Sequence, residues 1–282
     1  MKIFRYLINN RFLKLSFLFL AVFSLFFLKT VAFAKETPSF SSASLAAYNG
    51  KYLSGSDSDT PRPLASLTKL MTALVLIDLD IDFNKKVKIE KKQIDYVNPY
   101  IDAGDVTSSI DLRSGDKVFL RDLWNAMLIA SSNEAAAALV DNSGISRRDF
   151  VARMNAKAKA WGLKKTKFTE MSGIDPANVG TAREMAYIAW KAYRNPTIRL
   201  AGIKTRYSFK EINSGRSVSF SNRNSSLLAM EPIGMKVGYL TEAKNNVAIR
   251  LRSGAKDRVI VVLHAENNQK RNAEISRLFK LK

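Results

Sequence analysis

The segment Pro63-Leu64-Ala65-Ser66-Leu67-Thr68-Lys69-Leu70-Met71 leads into a predicted helix and carries the first chemical motif of this chain. A helix is predicted over residues 66–79, and its apolar side chains surround most of its circumference, so we expect it to be buried on several sides. Ser66 and Lys69 lie three residues apart at its start and share one face. The sequence therefore predicts a buried helix whose first turn brings a lysine amine within reach of a serine hydroxyl.

Two further motifs follow in order, Ser131-Ser132-Asn133 and Lys236-Val237-Gly238. A serine hydroxyl becomes a good nucleophile only when a base takes its proton. The chain has one histidine and no cysteine, so lysine is the candidate base. A lysine amine at its reference pKa of about 10.4 is protonated, but burial or a second cation lowers that pKa. We expect Lys69 to be the base and Lys236 to be the second cation.

The two ends of the chain show strand patterns, whereas the middle is mostly helical. Asn49-Gly50 predicts a hairpin with a two-residue turn, and after about residue 205 apolar residues alternate as in strands. Strands from residues 44–65 and 205–282 are expected to pair in one antiparallel sheet. A helical insert of about residues 80–200 would pack against it, which gives an α+β fold. Later helices are predicted over residues 120–129, 135–140, 147–161, 181–193 and 271–280.

The first 34 residues have the pattern of a secretory signal peptide. Basic residues precede an apolar run over residues 15–28, and Ala32-Phe33-Ala34 supplies small residues at the cleavage site. Cleavage after Ala34 would deliver the protein to the periplasm or cell wall. The alternative is a retained membrane anchor, although the apolar run is shorter than the about 20 residues that a spanning helix needs. Residues 35–43 are polar and are interpreted as a tether ahead of one domain, residues 44–282.

The charge of the chain favours anionic partners. The formal net charge is +20, and removal of residues 1–34 would leave 40 basic and 25 acidic residues. For an exported protein, the candidate partners are anionic wall polymers, acidic peptide stems and membrane headgroups, while the alternative is a solvated basic face. The sequence contains no nucleic-acid-binding motif, so nucleic acid is not expected as a partner.

The composition excludes several other classes of protein. Hydrophobic residues make up 46% of the chain, enough for a large core, which excludes a disordered chain. The single histidine, His264, ends an apolar strand without a paired acid and is interpreted as structural. No metal-binding spacing is found, so we expect neither a metal nor a cofactor.

Together the motifs resemble those of the penicillin-binding serine enzymes, in particular the low-molecular-mass D-alanyl-D-alanine carboxypeptidases. Residues 63–73 and 128–136 are similar to the nucleophile segment and second motif of that family. Residues 172–184 resemble its loop-then-helix signature, and Asn222-Arg223-Asn224 resembles the approach to its third motif. The resemblance covers nearly all of residues 40–282. It implies an antiparallel five-stranded sheet flanked by helices with a mostly helical insert, as in β-lactamases and transpeptidases.

The resemblance also implies roles for the residues of the first two motifs. Ser66 would be acylated by the penultimate D-Ala carbonyl of the substrate, and Lys69 would be the base. Ser131 and Asn133 would border the cleft from the helical side, where they would relay protons and hold the peptide amide.

The third motif would bind substrate at the edge of the sheet through Lys236, Val237, Gly238 and Tyr239. The backbone N–H of Tyr239 would form the oxyanion hole with that of the nucleophile, and Arg271 would pair with the terminal carboxylate of the substrate. The family has threonine where this chain has Val237, and that hydroxyl bonds the carboxylate. Such a bond contributes about 1.5–3 kcal/mol, so its loss would weaken transition-state binding by about ten- to a hundredfold.

The function that the resemblance implies is that of an exported serine-type carboxypeptidase. It would remove the terminal D-Ala from peptidoglycan stem peptides through an acyl-enzyme, and β-lactams would inhibit it covalently. The alternatives are an endopeptidase or transpeptidase on the same scaffold, or a weak or inactive wall-binding protein. A class A β-lactamase is disfavoured because its Glu-x-x-Leu-Asn loop is absent and residues 172–175 occupy the comparable region. The chain is expected to comprise the catalytic domain alone.

Overall fold

The computed structural model describes residues 39–101, 107–222 and 224–281. The predicted signal peptide, its cleavage site, residues 35–38 of the predicted tether and Arg223 lie outside the described residues. Within these ranges, no helix is long and apolar enough to cross a membrane.

Strands lie mostly towards the two ends of the described chain, and helices lie mostly between them. The strands are β1 (Ser41–Ala46), β2 (Tyr52–Ser56), β3 (Arg62–Pro63), β4 (Lys86–Lys88), β5 (Lys117–Phe119), β6 (Val179–Gly180), β7 (Arg206–Lys210), β8 (Ser217–Ser221), β9 (Gly234–Leu240), β10 (Lys244–Ser253) and β11 (Lys256–Ala265). The α-helices are α1 (Thr68–Asp78), α2 (Lys91–Ile94), α3 (Leu120–Asn125), α4 (Asn133–Asp141), α5 (Arg147–Ala160), α6 (Ala182–Arg194), α7 (Pro196–Gly202), α8 (Ser225–Leu228) and α9 (Asn268–Lys280). The 3₁₀ turns are Ala65–Leu67 and Asp95–Tyr100, and a π-helix spans Ala126–Ala130.

A five-stranded antiparallel sheet in the order β2-β1-β11-β10-β9 joins the two ends of the described chain. Ser41 of β1 lies opposite Leu263 of β11, and Ala46 lies opposite Arg258. The predicted α+β fold class, with strands from both ends in one sheet, is therefore confirmed. β9 is an edge strand, and its Gly238 packs against the backbone of Ser66.

The predicted boundaries of the sheet are wrong at two places. β1 begins at Ser41, so residues 41–43 belong to the sheet rather than to a tether; their polar groups are buried, and the Ser42 hydroxyl donates to Glu274 of α9 at 2.5 Å. β7 and β8 form a separate two-stranded sheet. This hairpin lies against the helical insert, where the Tyr207 hydroxyl donates to Asp122 at 2.8 Å. The alternation of apolar and polar residues predicted strands in this part of the chain, but it does not show which strands pair with each other.

The predicted two-residue turn between β1 and β2 is also wrong. The loop spans residues 47–51, and Gly50 has a φ of 75° whereas Asn49 does not have a positive φ. A Cβ on Gly50 would lie 2.9 Å from the ring of Trp190, whose Nε1 donates to the carbonyl oxygen of Ala47 at 2.9 Å. Packing against α6 therefore sets the shape of this loop.

Apolar side chains cover both faces of the sheet. Alternate residues of β11 point to opposite faces, as the period of a strand requires: Val259, Val261 and Leu263 pack with the helical insert, whereas Ile260 and Val262 pack beneath α9. The helix α9 covers that second face with Ile275 and Leu278, both fully buried. The edge strand β9 is thus held by a sheet that is packed on both sides.

Candidate active site

Ser66 lies in the 3₁₀ turn Ala65–Leu67 at the entrance to α1. Ala65 has a φ of 48°, a left-handed conformation that costs a non-glycine residue about 1–3 kcal/mol. Two glycines pack against this turn: a Cβ on Gly173 would lie 1.8 Å from the oxygen of Ala65, and one on Gly238 would lie 2.8 Å from the nitrogen of Ser66. The strained turn therefore sits between β9 and the loop that contains Gly173.

Lys69 is fully buried behind Ser66, and its amine contacts three oxygens. Nζ lies 3.0 Å from Oγ of Ser66, 2.8 Å from Oδ1 of Asn133 and 2.7 Å from the carbonyl oxygen of Ser172. The amide and carbonyl oxygens can only accept hydrogen bonds, so they take both N–H groups of a neutral amine. The remaining lone pair then points at the Ser66 hydroxyl, as a base requires.

Burial is the main cause that lowers the pKa of Lys69 to about 7, while the charges of Glu170 and Glu134 oppose that shift. The sequence predicted Lys236 as the second cause. The effect of one amine on the other is instead seen at Lys236, where burial first and then the charge of Lys69 lower the pKa well below its ordinary value. Two cations in one buried site repel each other. The pair therefore favours a state in which only one of the two amines is charged.

Ser131 and Lys236 form the second half of the site. The buried amine of Lys236 donates to Oγ of Ser131 at 2.8 Å and to the carbonyl oxygen of Val237 at 3.0 Å. The helix predicted over residues 120–129 instead changes into the π-helix Ala126–Ala130, and Ser131 follows with a φ of 63°. Single π-turns are frequent at functional sites. Here the π-turn and the left-handed residue lead the chain to Lys236.

The other residues of the second motif begin helix α4. Oγ of Ser132 accepts from the backbone N–H of Ala135 at 3.0 Å, as an N-cap does, and donates to Glu134 at 2.9 Å. Burial raises the pKa of Glu134. The side-chain amide oxygen of Asn133, in the first turn of α4, accepts a hydrogen bond from Lys69. The structure therefore brings Ser66, Lys69 and Asn133 together and links Ser131 to Lys236.

The third motif lies along the edge strand β9. Val237 packs with the cluster beneath α9 that includes Ile275, and Tyr239 is 66% exposed. Arg271 lies four residues before Ile275 on α9, and residues at this spacing share one face of a helix. Val237 and Arg271 are therefore on the same side of the sheet. Tyr239 follows Gly238, the residue that packs against the backbone nitrogen of Ser66.

Arg271 is a buried cation, only 3% exposed. Its Nε and Nη2 donate to Oδ1 of the neighbouring Asn272, both at 3.1 Å, and no carboxylate of the described residues forms a salt bridge with it. Burial lowers its pKa to about 10. A buried charge without a counter-charge is costly, so this guanidinium can bind an anion favourably.

Sequence reasoning missed three residues of the site. Glu170 and Glu134 lie in no chemical motif of their own, although both are buried carboxylates. Asn246 is fully buried in β10, donates to the carbonyl oxygens of Pro63 and Leu64 at 2.9 and 3.1 Å, and accepts from the backbone N–H of His264 at 2.7 Å. It anchors the segment just before the nucleophile. The sequence offered one indication of this role, because Asn246 is a polar residue at the start of an otherwise apolar strand.

Comparisons with known proteins show what this chain is similar to. A family model described as D-alanyl-D-alanine carboxypeptidase matches residues 32–267. The D-alanyl-D-alanine endopeptidase of Haemophilus influenzae is 28% identical over 249 residues, which cover 86% of this chain and 81% of that protein. The D-alanyl-D-alanine carboxypeptidase of Streptomyces sp. K15 is 31% identical over 234 residues, 78% of each chain. The crystal structure of the Streptomyces K15 DD-transpeptidase matches with a TM-score of 0.77 and 29% identity, over 84% of this chain and 94% of that chain.

Proposed function

Because the chain belongs to the D-alanyl-D-alanine carboxypeptidase family, we propose that it removes the terminal D-Ala from peptidoglycan stem peptides through an acyl-enzyme on Ser66. The observation that carries this proposal is the setting of Lys69. Its two N–H groups are engaged by Asn133 and Ser172, and its lone pair faces the Ser66 hydroxyl at 3.0 Å. A pKa of about 7 allows the amine to be neutral at physiological pH.

In the acylation step, Oγ of Ser66 attacks the carbonyl carbon of the penultimate D-Ala while Lys69 takes the hydroxyl proton. The backbone N–H groups of Ser66 and Tyr239 would bind the oxyanion that forms, as preorganised donors do. The C–N bond then breaks, and the departing amine needs a proton. Ser131, whose oxygen accepts from Lys236 at 2.8 Å, would donate its proton to that amine. The proton that Lys69 took from Ser66 would then pass to Ser131, which returns Lys69 to its neutral form. Lys69 would next take a proton from the water that attacks the ester and give it back to Oγ of Ser66 as the shortened peptide leaves.

The terminal carboxylate of the substrate would bind near Arg271. Its buried guanidinium lies on the same side of the sheet as Val237, whose side chain has no hydroxyl to offer. Ionic contact with Arg271 would therefore carry more of the recognition than in relatives with threonine at this position.

The endopeptidase alternative differs only in the amine that leaves. Both reactions acylate the same serine with a D-Ala carbonyl, and the relative from Haemophilus influenzae is named an endopeptidase. The exposed Tyr239 at the open edge of β9 leaves room for a larger leaving peptide. Release of D-Ala from a stem pentapeptide, compared with cleavage of a cross-linked muropeptide dimer, decides between the two.

We also propose that the protein works outside the cytoplasm, where its substrate lies. The signal-peptide pattern of residues 1–34 supports this location. The excess of basic residues in the rest of the chain, 40 against 25 acidic ones, favours contact with anionic wall polymers or the membrane surface. N-terminal sequencing of the protein recovered from the cell envelope would give Lys35 after cleavage and Met1 for a retained anchor.

The direct test is the intact mass of the purified protein with and without penicillin, followed by peptide mapping. We expect one adduct per chain on Ser66 and none in Ser66→Ala. A folded protein that forms no adduct would contradict the catalytic proposal and favour a wall-binding role.

A further inference from the structure

We propose that Glu170 is a positioning residue for Lys69 and acts through the peptide bond between Ser172 and Gly173; this inference rests on the function proposed above. Glu170 is 4% exposed and lies in the loop between α5 and β6. Its carboxylate accepts hydrogen bonds from four donors. They are the Tyr96 hydroxyl, the Asn178 side-chain amide and the backbone N–H groups of Ser172, at 2.5 Å, and Gly173.

The peptide unit between Ser172 and Gly173 connects the carboxylate to the base. In a planar trans peptide, the N–H and C=O groups point in opposite directions. The Gly173 N–H points to Glu170, so the Ser172 carbonyl must point away from it, and there it accepts from Nζ of Lys69 at 2.7 Å. Any rotation of this peptide that loosens the bond to Glu170 also moves the acceptor away from Lys69.

Steric contacts limit where this peptide can lie. Gly173 has a φ of 82°, and a Cβ on it would lie 1.8 Å from the oxygen of Ala65. The same peptide unit therefore touches the strained turn that carries Ser66. Because Glu170 fixes its orientation, the carboxylate controls the direction of the Lys69 lone pair without contacting the nucleophile.

The charge of Glu170 gives this role a measurable signature. The charged groups that face Lys69 are Glu170 from the loop, Glu134 from α4 and Lys236 from β9. Both carboxylates raise the pKa of Lys69 against the larger effect of burial. Burial also raises the pKa of Tyr96, so its hydroxyl stays protonated and donates to Glu170. A neutral side chain at position 170 would let the pKa of Lys69 fall further.

The test compares the rate of acylation by a fluorescent penicillin between pH 5 and pH 10 in the wild type and Glu170→Gln. The Gln side chain presents an N–H₂ group where the four donors need acceptors, so the bridging peptide shifts. We expect the rate at high pH to fall about tenfold, as small displacements of a catalytic group cause. We also expect the midpoint of the acidic limb to move down by about one pH unit, because a negative charge has been removed.

Asp175→Asn is the matched control, since Asp175 lies in the same loop and bonds Thr169 and Ala177 at 2.8 Å rather than the bridging peptide. It should leave the midpoint unchanged. A Glu170→Gln variant that keeps the wild-type midpoint would overturn the proposal, even if its acylation is slower. A slower rate alone does not support the proposal, because general loosening of the loop would also slow acylation and would not move the midpoint.

If Glu170→Gln does not fold, Tyr96→Phe takes its place. This variant removes one donor to Glu170, and we expect acylation to slow several-fold relative to Asp175→Asn. Equal rates in these two variants would overturn the proposal. Failure of the wild type to react with penicillin would instead contradict the proposed function, so the two failures can be told apart.

Discussion

Lys69 is the residue whose proton decides when this site can react. The amine acts as a base only when neutral, so acylation should be slow below its pKa of about 7 and reach a plateau above it. We expect the rate of acylation by penicillin to rise with pH, with a midpoint near that value. A midpoint close to 10, the ordinary value for lysine, would show that burial does not tune this amine.

Val237 stands where the resemblance of the third motif to Lys-Thr-Gly implies a threonine. Val237→Thr has nearly the same shape and adds the hydroxyl that we expect to bond the substrate carboxylate. We expect kcat/KM for D-Ala release to rise about tenfold, the effect of one hydrogen bond to a charged group. Val237→Ile, which adds no hydroxyl, is the control. If the Thr variant gains nothing, Arg271 already satisfies the carboxylate.

Sequence reasoning found site residues that stand in short motifs and missed two that act through backbone groups of other segments. Ser66, Lys69 and Asn133 stand in short motifs, and the structure joins them by direct hydrogen bonds. Glu170 and Asn246 bind backbone groups of segments that are distant along the chain. Backbone groups have no sequence signature, so such partners become visible only when the fold brings the segments together.

Among the elements, the loop around Gly173 should be the least tolerant of an added methyl group. Gly173 and Gly215 both have positive φ, but a Cβ on Gly215 would meet open space. Gly215→Ala should therefore lower the free energy of unfolding by about 1 kcal/mol. Gly173→Ala should lower it by about 4 kcal/mol or more, because a backbone clash is added to the same strain. Urea unfolding of both variants separates the two effects, and similar losses would contradict the clash.

The sequence predicted the type of most helices and strands correctly, but it was less accurate about where they end and which strands pair. Periodicity predicted α1 and α6 nearly as the structure has them. It failed at residues 126–130, where a π-helix replaces the expected α-helix, and at β7 and β8, which pair only with each other. Both features are accompanied by tertiary contacts. Ser131 accepts a hydrogen bond from Lys236, and the Tyr207 hydroxyl donates one to Asp122.

For the whole molecule, α9 is needed to cover one face of the sheet. Its Ile275 and Leu278 are fully buried, and Glu274 accepts from the Ser42 hydroxyl of β1. A chain that ends after Glu266 would expose the apolar face of β11, and we expect it to lack a cooperative thermal transition by circular dichroism. Gln269→Ala, a change at an exposed position of α9, should keep that transition. A truncated chain that melts like the wild type would contradict this role.

The pairing of β1 with β11 has a consequence for how the protein is made. Ser41 lies opposite Leu263, so a ribosome releases the first strand of the sheet long before the strand that must lie beside it. Contacts between such distant segments form late and slowly. Until synthesis is nearly complete, the nascent chain cannot complete the five-stranded sheet. During that interval it remains unfolded, and a chaperone or a secretion channel can bind it.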